Sequence, residues 1–485
     1  MNLRMVQRIL GLMLMLFSLT MLPPAGVSLG YSDGHWYPFV AAFAIVAVAG
    51  LLLWLPVRRL RGDLRLRDGF LVIAVFWIFL GLAGATPFLI SDVPALSVTD
   101  AVFEAVSGFT TTGATVIVGL DELPKSILYY RQQIQWLGGM SIIVLAVALM
   151  PMLGIGGMSL YKADTPGPMK DQKLTPRMAD TARAIWVIYA ILALACTLAY
   201  RAAGMSWPDA FMHMCTTISL SGFSSHDTSY AYWNSPAIEA VAIGFMLLAG
   251  VNLVLYFGAW RSRSLAPLWR NAELRAYFGV LAFAIAGLTL YLYALGLYPT
   301  LLRSLRQAAF HVVSVATTTG YAIDDYGQWP VFAGLLMLLL GSFATCAGST
   351  GGGMKMVRVL LLFKLSRREL LRIMHPSAVT PVVLGSTVVN ERVMYSVVAY
   401  MMMYGACLVT LTLAMLFSGM DPVSAFSAVF ACLNNIGPGL GVVGPAQNYA
   451  SLSVFQTWIC TLAMLLGRLE LLAVLVLLLP AFWRK

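Results

Sequence analysis

Ten apolar stretches recur along the chain, each close to the roughly 20 residues a helix needs to cross a bilayer. They fall at 8–28, 36–57, 69–91, 127–150, 184–203, 236–259, 277–297, 330–351, 393–418 and 455–480. Such a chain has few options. Hydrocarbon satisfies no backbone N–H or C=O, so each segment must close its own hydrogen bonds, and the expected fold is an all-α integral membrane protein. Composition agrees, with 60% of residues hydrophobic and 11% charged, where a soluble chain carries roughly 25% charged residues. Arg4 and Arg8 ahead of the first stretch resemble the start of a secretory signal, but no small-x-small cleavage pattern follows, so it is read as a span.

Charge orients the spans. Basic residues gather at 58–67 ("RRLRGDLRLR"), 162–183, 261–275, 355–372 and the terminal "WRK". They alternate with connections at 23–35, 92–126, 204–235, 298–329 and 419–454, which hold Asp100, Glu104, Asp121, Asp209, Asp227, Asp324 and Asp421. The positive-inside rule places the basic set, and both termini, in the cytoplasm. The net charge of +10 then follows from topology and calls for no nucleic-acid partner. Six cysteines without a CxxC pair and five histidines without ligand spacing suggest neither a metal centre nor a disulfide framework. No phosphate loop, dinucleotide fingerprint or nucleophile elbow occurs, so enzyme chemistry has no foothold.

Four of the acidic connections repeat one plan. They read "TDAVFEAVSGFTTTGATV", "PDAFMHMCTTISLSGFSSHD", "LRQAAFHVVSVATTTGYAIDD" and "SAFSAVFACLNNIGPGLGVVGP". In each, a phenylalanine (Phe103, Phe211, Phe310, Phe426) precedes a glycine (Gly113, Gly222, Gly320, Gly437) by ten or eleven residues, with small and apolar residues between. A helix of about twelve residues is too short to cross. It can dip in and return only where its tip is buried in protein or lines water. Four tips on one axis would meet that demand, with Thr111, Thr112 and Gly113, Leu220, Ser221 and Gly222, Thr318, Thr319 and Gly320, and Asn435, Ile436 and Gly437 turning carbonyls inward. Rings of carbonyls replace the water shell of a monovalent cation, and the helices' C-terminal ends favour positive charge. Taken singly, "TTTG" is an ordinary turn, Asp100, Asp209 and Asp421 read as helix N-caps rather than ligands, and the phenylalanines read as packing residues. The recurrence in matching slots is what points to an ion filter.

These residues, "TTTGY" and "NNIGPG" most specifically, resemble the superfamily of Trk, Ktr and HKT potassium transporters, and its TrkH-type subunits most closely. The resemblance covers essentially the whole chain. It implies two leading helices in 1–68 and four span–short helix–span repeats at 69–160, 161–260, 261–392 and 393–485 around a pseudo-fourfold pore. It also implies potassium uptake, a homodimer in the lipid of a bacterial inner membrane, and a cytosolic TrkA-like ring of RCK domains that carries the nucleotide. No cofactor is expected on this chain. Within the superfamily, residues 1–57 argue against a sodium-dependent Ktr-type subunit. A secondary transporter with broken helices would show two inverted repeats rather than four parallel ones.

Two features bear on gating. "TCAGSTGGGMK" at 345–355, with Gly348, Gly351, Gly352 and Gly353, breaks the eighth stretch, because glycine is among the poorest helix formers. Read plainly, it is a loop at the end of a span; in the family, a loop here obstructs the pore below the filter. Arg468 stands inside the last stretch with Glu470 two residues on, and i,i+2 neighbours do not share a helix face. An intramembrane arginine points to function, and the family places one facing the ion path. An ion pair with another helix is the alternative. The basic stretches 162–183 and 261–275 and the run after Lys355 are expected to dock the ring, unless they only set topology.

Overall fold

The computed structural model describes residues 3–60, 66–153, 178–377, 380–385, 387–469 and 471–484. The expected repeat boundary at 160, most of the stretch 162–183, and Glu470 lie outside the described residues. The chain is helical almost throughout. The sheet among the described residues is one hairpin pairing Val383–Leu384 with Thr387–Val388. Among the described residues, six helices are long and apolar enough to cross a membrane, or seven if a bent pair counts as one. Their outward faces carry bare apolar side chains such as Leu52, Phe283 and Phe417, 67%, 83% and 89% exposed. That is the surface a lipid solvent requires.

A helix broken only by a 3-10 turn (Leu3–Ser18, Leu19–Met21, Leu22–Tyr31) and a second at Trp36–Trp54 lead the chain. Then one motif recurs. Leu66–Ile90, Met178–Ala202, Ala272–Ala294 and Glu391–Phe417 each enter a short helix: Val98–Phe109, Trp207–Ile218, Leu301–Ala316 and Pro422–Leu433. A second long element follows each, starting at Lys125, Pro236, Val331 and Val454.

The short helices begin at side-chain caps. Ser97, Ser206, Thr300 and Asp421 each accept the backbone N–H three residues on. The expected caps Asp100 and Asp209 are corrected here. They sit three residues inside, where each carboxylate accepts the serine hydroxyl at 2.7 Å. The recurrent phenylalanines also divide. Phe103 and Phe310 are fully buried, whereas Phe211 and Phe426 are 39% and 37% exposed. A spacing of eleven rather than ten residues rotates the latter pair about 100° around a helix of 3.6 residues per turn.

Three expected spans are not continuous helices. The segment 236–259 bends by 84° between Pro236–Ala249 and Leu253–Ser262, because Asn252 turns extended and caps the second piece by accepting Val254 N–H. The segment 330–351 is helical only over Val331–Phe343 and resumes at Met356–Met374. The last ends at Arg468, with a separate helix at Leu471–Leu478.

Candidate functional site

All four short helices end in the same way. The N–H groups of Thr112, Ser221, Thr319 and Ile436 return to the carbonyls of Ser107, Thr216, Ser314 and Ala431 at 2.8–3.0 Å. Those of Thr111, Leu220, Thr318 and Asn435 return three residues, at 3.0–3.2 Å. This is a Schellman-type closure, which needs a left-handed residue before the returning one and usually takes glycine there. Here the left-handed residues are Thr111, Leu220, Thr318 and Asn435, with φ between 53° and 63°. Such a φ costs a β-branched or bulky residue on the order of 1–3 kcal/mol and persists where the surroundings enforce it.

Two residues on, Gly113, Gly222, Gly320 and Gly437 take φ of 79–95°. Packing as well as φ demands glycine. A Cβ on Gly113 would fall on Ser221 O, one on Gly222 on Thr319 O, one on Gly320 on Ile436 O, and one on Gly437 on Thr112 O, each within 2.6 Å. The chain of contacts runs from repeat one to two to three to four and back to one. All twelve residues of the four tripeptides therefore share one closed ring, and nine are buried outright, with Gly113, Gly222 and Gly320 partly open.

Each turn is braced from behind by a side chain that sequence reading missed. Glu104 accepts Val116 N–H at 3.1 Å and Thr115 Oγ1 at 3.0 Å. His213 Nε2 meets Ser224 Oγ at 3.1 Å, His311 Nε2 accepts Ile323 N–H at 3.3 Å, and Ser427 Oγ accepts Leu440 N–H at 2.9 Å. A signal existed: Glu104, His213 and His311 all stand nine residues before their glycine. Glu104 also pairs with Arg131 at 2.8 Å, both side chains wholly buried. Between repeats, Gln135 donates to Ser221 O and accepts its hydroxyl, Asn435 donates to Thr112 Oγ1, and Tyr321 of "TTTGY" bonds Thr217 Oγ1.

The segment 344–355 passes against three of the four turns. Thr350 Oγ1 donates to Ile218 O of repeat two, and Gly352 N–H donates to Thr318 Oγ1 of repeat three. A Cβ on Gly352 would strike Asn434 O of repeat four, and one on Gly351 would lie 3.1 Å from Thr317 O. Gly348 and Gly353 both take φ of 77° and turn the segment at its two sides. Arg468 reaches into the same place. It donates to Thr350 O at 3.0 Å and to Gly138 O at 3.1 Å, so the arginine and the glycine segment form one structure. Its guanidinium also lies over the Trp77 ring at 5.8 Å. Among the described residues, no group of three His, Cys, Asp or Glu side chains could hold a metal ion.

Several membrane-length helices, a bare apolar surface and four buried loops closed about one axis define a multi-pass membrane transport protein. The family model described as "Cation transport protein", TrkH, matches residues 36–485. The chain is 48% identical over 485 residues to the Trk system potassium uptake protein TrkH of Halomonas elongata, covering 100% of both. It is 46% identical over 485 residues to the protein of that name from Escherichia coli K12, again covering 100% of both. It superposes on the crystal structure of the potassium transporter TrkH from Vibrio parahaemolyticus with a TM-score of 0.91 at 44% identity, over 100% of each chain. This chain belongs to the TrkH family: it is a cation transporter and not an enzyme.

Proposed function

We propose that this chain carries potassium inward across a bacterial inner membrane, through a pore formed by its own four repeats (69–160, 161–260, 261–392 and 393–485). The observation that carries this reading is the cyclic closure of Gly113, Gly222, Gly320 and Gly437 on their neighbours' carbonyls. In it, the carbonyls of Thr111 to Gly113, Leu220 to Gly222, Thr318 to Gly320 and Asn435 to Gly437 replace the hydration shell of a monovalent cation. Four helix C-termini facing one axis bias it toward positive charge. Potassium is cargo here, as the names of the relatives support, and the chain needs no cofactor.

The segment 345–355, turned by Gly348, Gly351, Gly352 and Gly353, plugs the path below the ring, and Arg468 adds a positive barrier. A cytosolic TrkA-like ring with its own nucleotide site moves this gate, docking on the basic stretches. Two copies of the chain pair in the lipid, with both termini cytoplasmic. The test is potassium and sodium uptake by vesicles holding the purified chain, with Gly→Ser at each ring position. Potassium-selective flux in wild type, and lost selectivity or flux in the variants, is expected. Wild-type preference retained at all four positions would sink the ring as the filter.

A further inference from the structure

The structure assigns a latch to the segment 345–355, and this inference rests on the reading of that segment as the gate. Glu273 stands in the first turn of the helix Ala272–Ala294 and is 2% exposed. Its Oε1 accepts two backbone N–H groups, from Ala347 at 2.7 Å and from Val357 at 3.2 Å. These two residues lie at the entry and the exit of the glycine segment, so a single carboxylate ties both of its roots together. Lys355 completes the arrangement. Its Nζ donates to Gly351 O at 2.7 Å inside the segment.

A second attachment lies 20 residues earlier in the chain. Leu253 N–H donates to Gly348 O at 3.2 Å, and Cys346 N–H donates to Gly250 O at 3.1 Å. A Cβ on Gly348 would lie 2.8 Å from Asn252 Oδ1. The stretch between the two attachments holds the helices Leu253–Ser262 and Ala266–Arg270, set off from the preceding helix by the 84° bend. It carries Arg261, Arg263 and Arg270 and no acidic residue, and it exposes Trp260, Leu265 and Trp269. A surface stretch fastened at both ends to the segment cannot shift without pulling on it. Glu273 is therefore a positioning residue: it holds the segment closed, and displacement of 253–271 draws it away and frees both roots. Glutamine at 273 keeps an acceptor oxygen for both N–H groups but exchanges the carboxyl for a neutral amide, and the weaker hold moves a two-state gate by on the order of tenfold.

The experiment records single-channel currents of the full chain in planar bilayers without partner, comparing wild type with Glu273→Gln, Glu273→Asp, Asn252→Ala and a deletion within 346–353. Modification of the buried thiol of Cys346 by a maleimide, read by mass spectrometry, is measured alongside. Glu273→Gln is expected to raise the open fraction about tenfold, with unchanged unitary conductance and potassium-to-sodium ratio, and to speed Cys346 labelling. Glu273→Asp should stay near wild type, and Asn252→Ala, which removes the cap of the helix Leu253–Ser262 beside the backbone attachment of Leu253 to Gly348, should act as Glu273→Gln does. An altered conductance or ion ratio in Glu273→Gln would mean a damaged pore and overturn the latch. So would a wild-type open fraction in Glu273→Gln and Asn252→Ala when the deletion opens the pore. A deletion that conducts no faster than wild type overturns the gate reading itself.

Discussion

Glu104 illustrates how much one side chain does behind the ring. Its carboxylate accepts from Thr115, from Val116 N–H and from Arg131. Arg131 continues to Ser224 O in the next repeat and lies 4.4 Å over the Phe223 ring. Removing one member of a buried pair strands the other charge, at a cost of about 3–5 kcal/mol. Glu104→Ala is thus expected to lower the thermal midpoint of the detergent-solubilised chain well beyond a surface control such as Asp92→Ala. A shift no larger than that control would show the pair to be dispensable. The ring glycines were legible in the sequence because backbone geometry leaves a residue-type signature. The braces were not, because a lone Glu or His in an apolar helix carries no sign of what its tip touches. The caps show the same limit: serine and aspartate three residues apart both qualify, and only geometry separates them.

At the scale of elements, the glycine run was legible as a break because three successive glycines cannot hold a helix. The break at 250–253 rested on a quieter signal, a glycine followed by Asn252 as a cap, inside an apolar run that reads as one span. The end at Arg468 left only a faint signal, Gly467 and two charges inside an apolar run that resumes at once. What the break at 344–355 does depends on its contacts with Ile218, Thr318 and Arg468. Ala344, Cys346, Ala347 and Met354 root the segment's ends in apolar clusters, while no residue of its middle, 348–353, belongs to one, so a few hydrogen bonds decide the position of that middle. Arg468→Ala removes the bond to Thr350 O and a positive charge beside the glycine segment together. Potassium uptake by vesicles without partner is therefore expected to rise above wild type. Uptake at or below the wild-type rate, in a variant with an unchanged elution profile, would place the gate elsewhere.

At the scale of the whole molecule, apolar periodicity announces an all-helical membrane chain, and recurrence announces its four units. Closure of the ring in the order one, two, three, four was invisible, because every contact that closes it joins residues about a hundred or more apart. The loops that follow the short helices add a tether of this kind between repeats one and two. Asp121 of repeat one bonds His226 Nδ1 of repeat two, and Asp227 Oδ1 accepts Gly119 N–H at 3.1 Å. Asp209 stands 3.6 Å from His226 Nε2, an ion-pair rather than a hydrogen-bond distance, and Tyr232 stacks on the imidazole. Burial works against charge on His226, but Asp209 and Asp121 outweigh it and raise its pKa above the ordinary 6.5. Burial likewise opposes ionisation of Asp209, yet the nearby His226 imidazole and the bond from Ser206 hold its carboxyl below the usual 3.8. A raised histidine pKa gives stability that is full below the unfolded value and lost as pH rises through the folded one. A depressed carboxyl pKa gives stability that is present above its unfolded value and lost as pH falls toward the folded one. The tether is therefore strongest between about pH 4 and 6.5 and fades above His226's raised pKa. Hydrogen exchange of residues 223–233 in the detergent-solubilised chain, corrected for the intrinsic pH dependence, should show greater protection at pH 6 than at pH 8.5. His226→Gln should flatten that difference by lowering protection at pH 6 alone. Equal protection at both pH values in wild type would mean that the imidazolium contributes nothing to joining the two repeats.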